Sequence, residues 1–159
     1  DAINSQKDTK ESIKKDIEIN FYDSAYISED YLPSPLERLK IYKKLDELLT
    51  FKDLKTLNTN LRDRCGKIPI ETKNLIDNKR FYLKVLNTGI KSIKSNEKNT
   101  NFEITNDIKD EHLNKLVSLA QDEPKKYQIN SNNKFIYKYH ELNSEVRRQN
   151  INALLDEIF

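Results

Sequence analysis

Residues 61–69 read Leu-Arg-Asp-Arg-Cys-Gly-Lys-Ile-Pro (LRDRCGKIP) and hold the only cysteine of the chain, one of its two glycines and one of its four prolines. Apolar residues precede the stretch at Leu54, Leu57 and Leu61, a helical spacing that continues to Cys65. Gly66 then stands where a helix takes a positive φ to stop. Pro69 opens the next helix, where its missing N–H is harmless. Three alternating charges, Arg62, Asp63 and Arg64, sit on the last turn.

Working toward the N-terminus, Thr50 with Asp53 forms a cap for this helix, and Ser34-Pro35-Leu36-Glu37 forms a capping box with proline at the first helical position. Leu36, Leu39, Tyr42, Leu45 and Leu49 give the helix after Ser34 one apolar face. Ile17, Ile19 and Phe21 alternate with polar residues as in a half-buried strand. Residues 1–15 are polar and read as a linker or frayed lead-in.

Toward the C-terminus, the helix opened by Pro69 runs to about Thr88, with Leu75, Tyr82 and Leu86 on one side and Ile76 and Leu83 beside them; Gly89 ends it. Ile90–Lys94 and Phe102–Thr105 read as a hairpin around a polar loop. Leu113, Leu116, Val117 and Ala120 are spaced as a helix. Tyr127–Asn130 and Phe135–His140 are strands joined through Ser131-Asn132-Asn133, where asparagine tolerates the turn. Val146, Ile151, Leu154, Leu155 and Ile158 mark a final helix. The expected fold is α+β: an N-terminal strand and three helices, followed by a small, mostly antiparallel sheet with two further helices, as one domain over residues 16–159.

At 159 residues the chain is long enough for a real core, and no apolar run approaches a membrane span. The 28 basic and 26 acidic residues are interleaved, as in LERLKIYKKLDELL, the pattern of solvated, ion-paired helix faces. Methionine is absent, which reads as a piece of a longer protein cut at a domain boundary. A single cysteine, with no Asn-x-Ser/Thr sequon, reads as cytoplasmic.

Two glycines cannot build a phosphate-cradling loop, so ATP and NAD binding are excluded and no cofactor is expected. His112, His140 and Cys65 lack ligand spacing, so no metal is expected. Cys65 continues the apolar stripe and reads as core rather than nucleophile. Adjacent carboxylates such as Glu29/Asp30 and Asp156/Glu157 do not converge as acid–base pairs. No catalytic residue is assigned. Tyr127, Tyr137 and Tyr139 read as a base-stacking platform, or else Phe135, Tyr137 and Tyr139 are one face of a strand packed on a helix. Asp63 between two arginines suits charged pairing with a partner, or a helix-terminal ion network. An alternative reading is a nucleic-acid-binding module on Lys-rich helix faces, expected to weaken steeply with salt.

Three blocks, AYISEDYLPSPLERLKIYKKL, LRDRCGKIPIETKNLI and LNTGIKSI, at matching intervals, resemble the C-terminal domain of bacterial transcription-repair coupling factors (Mfd), whose pattern is AYIPxxYIxDxxxRLxxYRRL, then ELxDRFGxLPxPxxNLL, then xxLGIxxI. The resemblance runs from about Ile17 to the end. It implies the last domain of an ATP-driven DNA translocase that displaces stalled RNA polymerase and recruits UvrA to nucleotide excision repair. The domain itself has no helicase motifs and is expected not to be an enzyme. It implies a regulatory clamp that docks on the UvrB-like N-terminal region of the same protein and covers the UvrA-binding surface. Direct DNA binding and membrane attachment are not expected. The docking residues carried over are Asp63 and Arg64, the DR of DRxG, with Asn60 at a position often acidic in the family. The family's phenylalanine is Cys65 here.

Overall fold

Ser34 and Thr50 begin the first two helices as expected. The Ser34 hydroxyl accepts from Glu37 N at 3.3 Å and the Thr50 hydroxyl from Asp53 N at 3.1 Å. Each satisfies a helix-end N–H that has no partner inside the helix. The computed structural model describes residues 16–159, so the linker reading of residues 1–15 lies outside the described residues. The elements in order are β1 (Glu18–Asn20), α1 (Pro35–Glu47), α2 (Phe51–Cys65), α3 (Ile70–Val85), β2 (Ile90–Ser95), β3 (Asn99–Ile104), α4 (Asp110–Asp122), β4 (Tyr127–Ile129), β5 (Lys134–Lys138) and α5 (Ser144–Ile158). This is the expected α+β order. The described residues form two compact units, Asp23–Lys84 in one, and residues 16–22 with Val85–Phe159 in the other.

The first unit is helical. Ile27, Leu32, Ile41, Leu45, Leu54, Leu57, Leu61, Ile76 and Leu83 form its core. The loop before α1 is fastened by polar groups. Thr72 donates to Tyr26 O, Asn74 to Ser24 O, and Arg38 to Leu32 O and Pro33 O. One expectation needs correction. Leu36 and Leu39 are 60% and 65% exposed, and the buried face of α1 is Ile41 with Leu45. Both stripes fit a helical period; the Ser34 cap fixes where α1 begins, and the packing of α2 decides which stripe turns inward.

At the end of α2, Gly66 takes φ +84° and donates to Arg62 O at 2.9 Å. Pro69 stands just ahead of α3, its carbonyl accepting from Lys73 N. The helix α3 stops at Val85, short of Thr88, because the Thr88 N–H and hydroxyl both turn back to Val85 O and Asn87 takes φ +63°. Gly89 therefore lies in the turn leading to β2 rather than at the helix end.

The second unit is built on a five-stranded sheet in the order β1-β2-β3-β5-β4. Only β1 is parallel to its neighbour, with Ile19 opposite Ile93. The two hairpins are those expected, and Phe102 opposite Phe135 joins them. Asparagines close both turns: Asn96 accepts from Lys98 N and Asn99 N, and Asn130 from Asn132 N and Lys134 N. Ile93, Phe102 and Phe135 are buried and opposite one another in register, and Ile151 and Leu155 of α5 are buried as well.

Arg147 of α5 is 5% exposed. Its Nε donates to Ser95 Oγ, and its two terminal nitrogens donate to the carbonyls of Glu141, Leu142, Phe21 and Ser95. A buried guanidinium is tolerated here because all five N–H groups find acceptors. Arg148 lies 4.5 Å from the Phe21 ring centroid. Both arginines meet Phe21, the residue that follows β1.

Candidate functional site

Helical spacing sets the surface between α1 and α2. Glu37, Ile41 and Lys44 fall on one face of α1 at i, i+4 and i+7, and Leu57, Asn60, Leu61 and Arg64 fall on the facing stripe of α2. The two faces enclose a hollow of about 330 Å³ lined by Ile41, Lys44, Leu57, Asn60, Leu61, Asp63 and Arg64. All three residues assigned to docking from sequence, Asn60, Asp63 and Arg64, border this one concavity. Its floor is apolar and its rim is charged.

The three differ in what they are free to do. Arg64 is engaged within the unit: its Nη2 donates to Glu37 Oε2 at 3.1 Å. Lys40 stands 3.6 Å from the other Glu37 oxygen. The Arg64 hydrogen bond, then the Lys40 charge, hold the Glu37 carboxyl below its ordinary range. Asp63 and Asn60 are exposed, and their side chains have no hydrogen-bond or ion-pair partner among the described residues. An exposed carboxylate without a cation, beside an apolar hollow, is a group ready to pair across an interface.

Two side chains that sequence reasoning missed support this turn. Tyr31, half-buried against the core, places its hydroxyl 2.9 Å from Gly66 O and 3.1 Å from Leu61 O. Burial is the main cause that raises its phenol above the ordinary value. Glu37 is the second. Each lies 27 or more residues from its partner, and no local pattern signals such a pairing.

Cys65 packs half-buried against the core of its unit, in keeping with a packing role. Among the described residues no group of three His, Cys, Asp or Glu side chains could hold a metal ion. Tyr127, Tyr137 and Tyr139 make a ladder of ring contacts, with centroids 5.1 and 5.0 Å apart, and Tyr127 also stacks on buried Phe135 at 5.5 Å. The Tyr139 hydroxyl is bonded among Ser95, Thr100 and Asn96. Tyr127 is buried against Phe135, Tyr137 and Tyr139 are half-buried, and successive rings are tilted or edge-on, an arrangement closer to a packed strand face than to a row of parallel open faces for bases.

The family model for the TRCF domain matches residues 23–115, more than half of the chain and all of this surface. The chain is similar to the transcription-repair-coupling factor of Buchnera aphidicola, with 31% identity over 150 residues, covering 94% of this chain and 18% of that protein. It is similar to the factor of the same name from Escherichia coli, with 25% identity over 135 residues, covering 80% of this chain and 12% of that protein. The chain thus spans less than a fifth of the length of these curated relatives. Its fold is similar to a crystal structure of the C-terminal domain of transcription-repair coupling factor, with a TM-score of 0.69 at 17% identity, covering 90% of this chain and 93% of that one.

Proposed function

The chain belongs to the transcription-repair-coupling factor family, and on that premise we propose that it is the factor's regulatory interaction domain, which docks on the UvrB-like N-terminal region of the same protein and covers the surface that UvrA would bind. The larger protein is then the ATP-dependent DNA translocase that displaces stalled RNA polymerase and hands the site to UvrA. This domain binds and does not catalyse. It works in the cytoplasm; no helix among the described residues is long and apolar enough to cross a membrane.

The observation that carries this reading is the Asp63 carboxylate, exposed and without a partner among the described residues, on the rim of the α1–α2 hollow and in the position of the DRxG motif. Intramolecular docking needs only a modest interface, because the partner is tethered at high effective concentration. A modest charged interface also opens readily when a competing partner takes over. Asn60 supplies hydrogen bonding where an acidic residue is common in the family, so the surface leans more on Asp63.

The test is calorimetric titration of this chain against the UvrB-like N-terminal fragment. Binding is expected to weaken as salt rises. Asp63→Arg is expected to cost about 2 kcal/mol, near thirtyfold in Kd, with the melting temperature unchanged. Absence of binding at any salt, or an Asp63→Arg variant that binds like the parent chain, overturns the reading.

A further inference from the structure

We propose that Tyr31 is a positioning residue for docking: its hydroxyl holds the end of α2 in the shape that presents Asn60, Asp63 and Arg64. The proposal rests on the docking reading above and adds the group that keeps the site formed.

An exposed last helix turn frays unless groups outside the helix hold it. Here one such group is a phenol. Its hydrogen is shared between Gly66 O at 2.9 Å and Leu61 O at 3.1 Å, the two carbonyls that bracket Arg62–Cys65. At Gly66 itself there is open space, since a Cβ added there would meet no atom within 4 Å. The turn is therefore held from beneath by Tyr31, by the Gly66–Arg62 backbone bond, and at Arg64 by Glu37.

The base of this strut is itself fixed. Tyr31 N donates to Ser28 Oγ, Leu32 N donates to Ser28 O, and Arg38 donates to the carbonyls of Leu32 and Pro33. The phenol thus ties a rigid loop to the turn that bears the docking charges. A preordered turn spends less conformational entropy on binding, so affinity depends on the strut although Tyr31 need not touch the partner. A phenol at its ordinary value of 10.0 is already protonated at neutral pH, and burial raises it further, so the hydroxyl is a donor there.

Tyr31→Phe removes the hydroxyl and keeps the ring. In the titration against the UvrB-like fragment it is expected to weaken binding about fivefold, the worth of one net hydrogen bond, at a melting temperature within a few degrees of the parent chain. Amide exchange is expected to quicken at Arg64, Cys65 and Gly66 and to stay slow at Leu57. In an Asp63→Ala background the same change is expected to alter Kd less than about twofold, because the two act through one contact. Gly66→Ala strains the same turn without a clash and is expected to weaken binding in the same coupled way. If Asp63→Arg abolishes binding while Tyr31→Phe and Gly66→Ala both bind like the parent chain, the positioning role is overturned and docking stands. If Asp63→Arg has no effect, docking itself falls, and the positioning role with it.

Discussion

Two glycines with positive φ show how the surroundings of a residue set its cost. Gly66 and Gly89 have φ +84° and +93°, conformations that a side chain makes strained in either case. At Gly66 the strain is the whole penalty, and with ψ −161° the backbone lies in a region essentially reserved for glycine, so Gly66→Ala is expected to cost about 1–3 kcal/mol. At Gly89 a Cβ would lie 2.4 Å from the Ile108 backbone nitrogen, a contact that no side-chain rotation relieves. Gly89→Ala is expected to cost roughly 2–4 kcal/mol, strain plus overpacking. Urea denaturation of the two variants checks the order; equal midpoints would show that the turn before β2 shifts freely. The glycines were legible in the sequence as backbone punctuation, Gly66 in its role and Gly89 a few residues out. The buried arginines were not. Arg147 and Arg148 look like surface charges on a helix, because what receives them lies far off in the chain: Arg147 meets carbonyls as distant as Phe21, 126 positions away, and Arg148 lies against the Phe21 ring.

A helix exposes the limit of periodicity. In α1 the spacing 36–39–42–45 and the spacing 38–41–45 both trace one face, and only Leu45 belongs to both. Position 45 is therefore the one that the sequence settles unaided, and Leu45 is buried. The partner helix α2 was unambiguous, since Leu54, Leu57 and Leu61 have no rival stripe, and all three are buried. The two α1 faces carry different predictions. Ile41 is 7% exposed, so Ile41→Ala is expected to cost about 2–4 kcal/mol through lost transfer and a cavity. Leu39 is 65% exposed, so Leu39→Lys is expected to fall within about 0.5 kcal/mol of the parent chain. Chemical denaturation of the pair tests the assignment of the buried face; a Leu39→Lys loss equal to that of Ile41→Ala would place Leu39 inward instead. The docking turn shares this split. Asn60, Asp63 and Arg64 were named from a motif, which marks positions, whereas Tyr31 and Glu37 support them from other elements that no motif at positions 60–64 can mark.

At the scale of the whole molecule, sequence pattern gave the hairpins and left the sheet order open. Alternation and turn residues act between neighbours, which is why β2–β3 and β4–β5 were legible. The parallel pairing of β1 with β2 joins Ile19 to Ile93 across the entire helical unit, and nothing local encodes it. Ionisable groups likewise sum over the chain into a stability profile. Glu37 is held below its ordinary value of 4.5, chiefly by Arg64. Its contribution is therefore present above the unfolded value and is lost as pH falls through the folded one. Tyr31 and Tyr127 are raised above 10.0, chiefly by burial. Their contribution is present below the unfolded value and is lost as pH rises through the folded one. Urea midpoints are expected to be level near neutral pH, to fall on the acid side once the pH drops below 4.5, and to fall again above pH 10. The two limbs have separate owners. Glu37→Gln is expected to flatten part of the acid limb and leave the alkaline limb alone, because its carboxylate no longer titrates against Arg64. Tyr31→Phe is expected to do the reverse. Measured midpoints from pH 3 to pH 11 on the three chains decide the matter: an acid limb as steep in Glu37→Gln as in the parent chain would mean that the pair across α1 and α2 contributes nothing to folding, as many exposed ion pairs do.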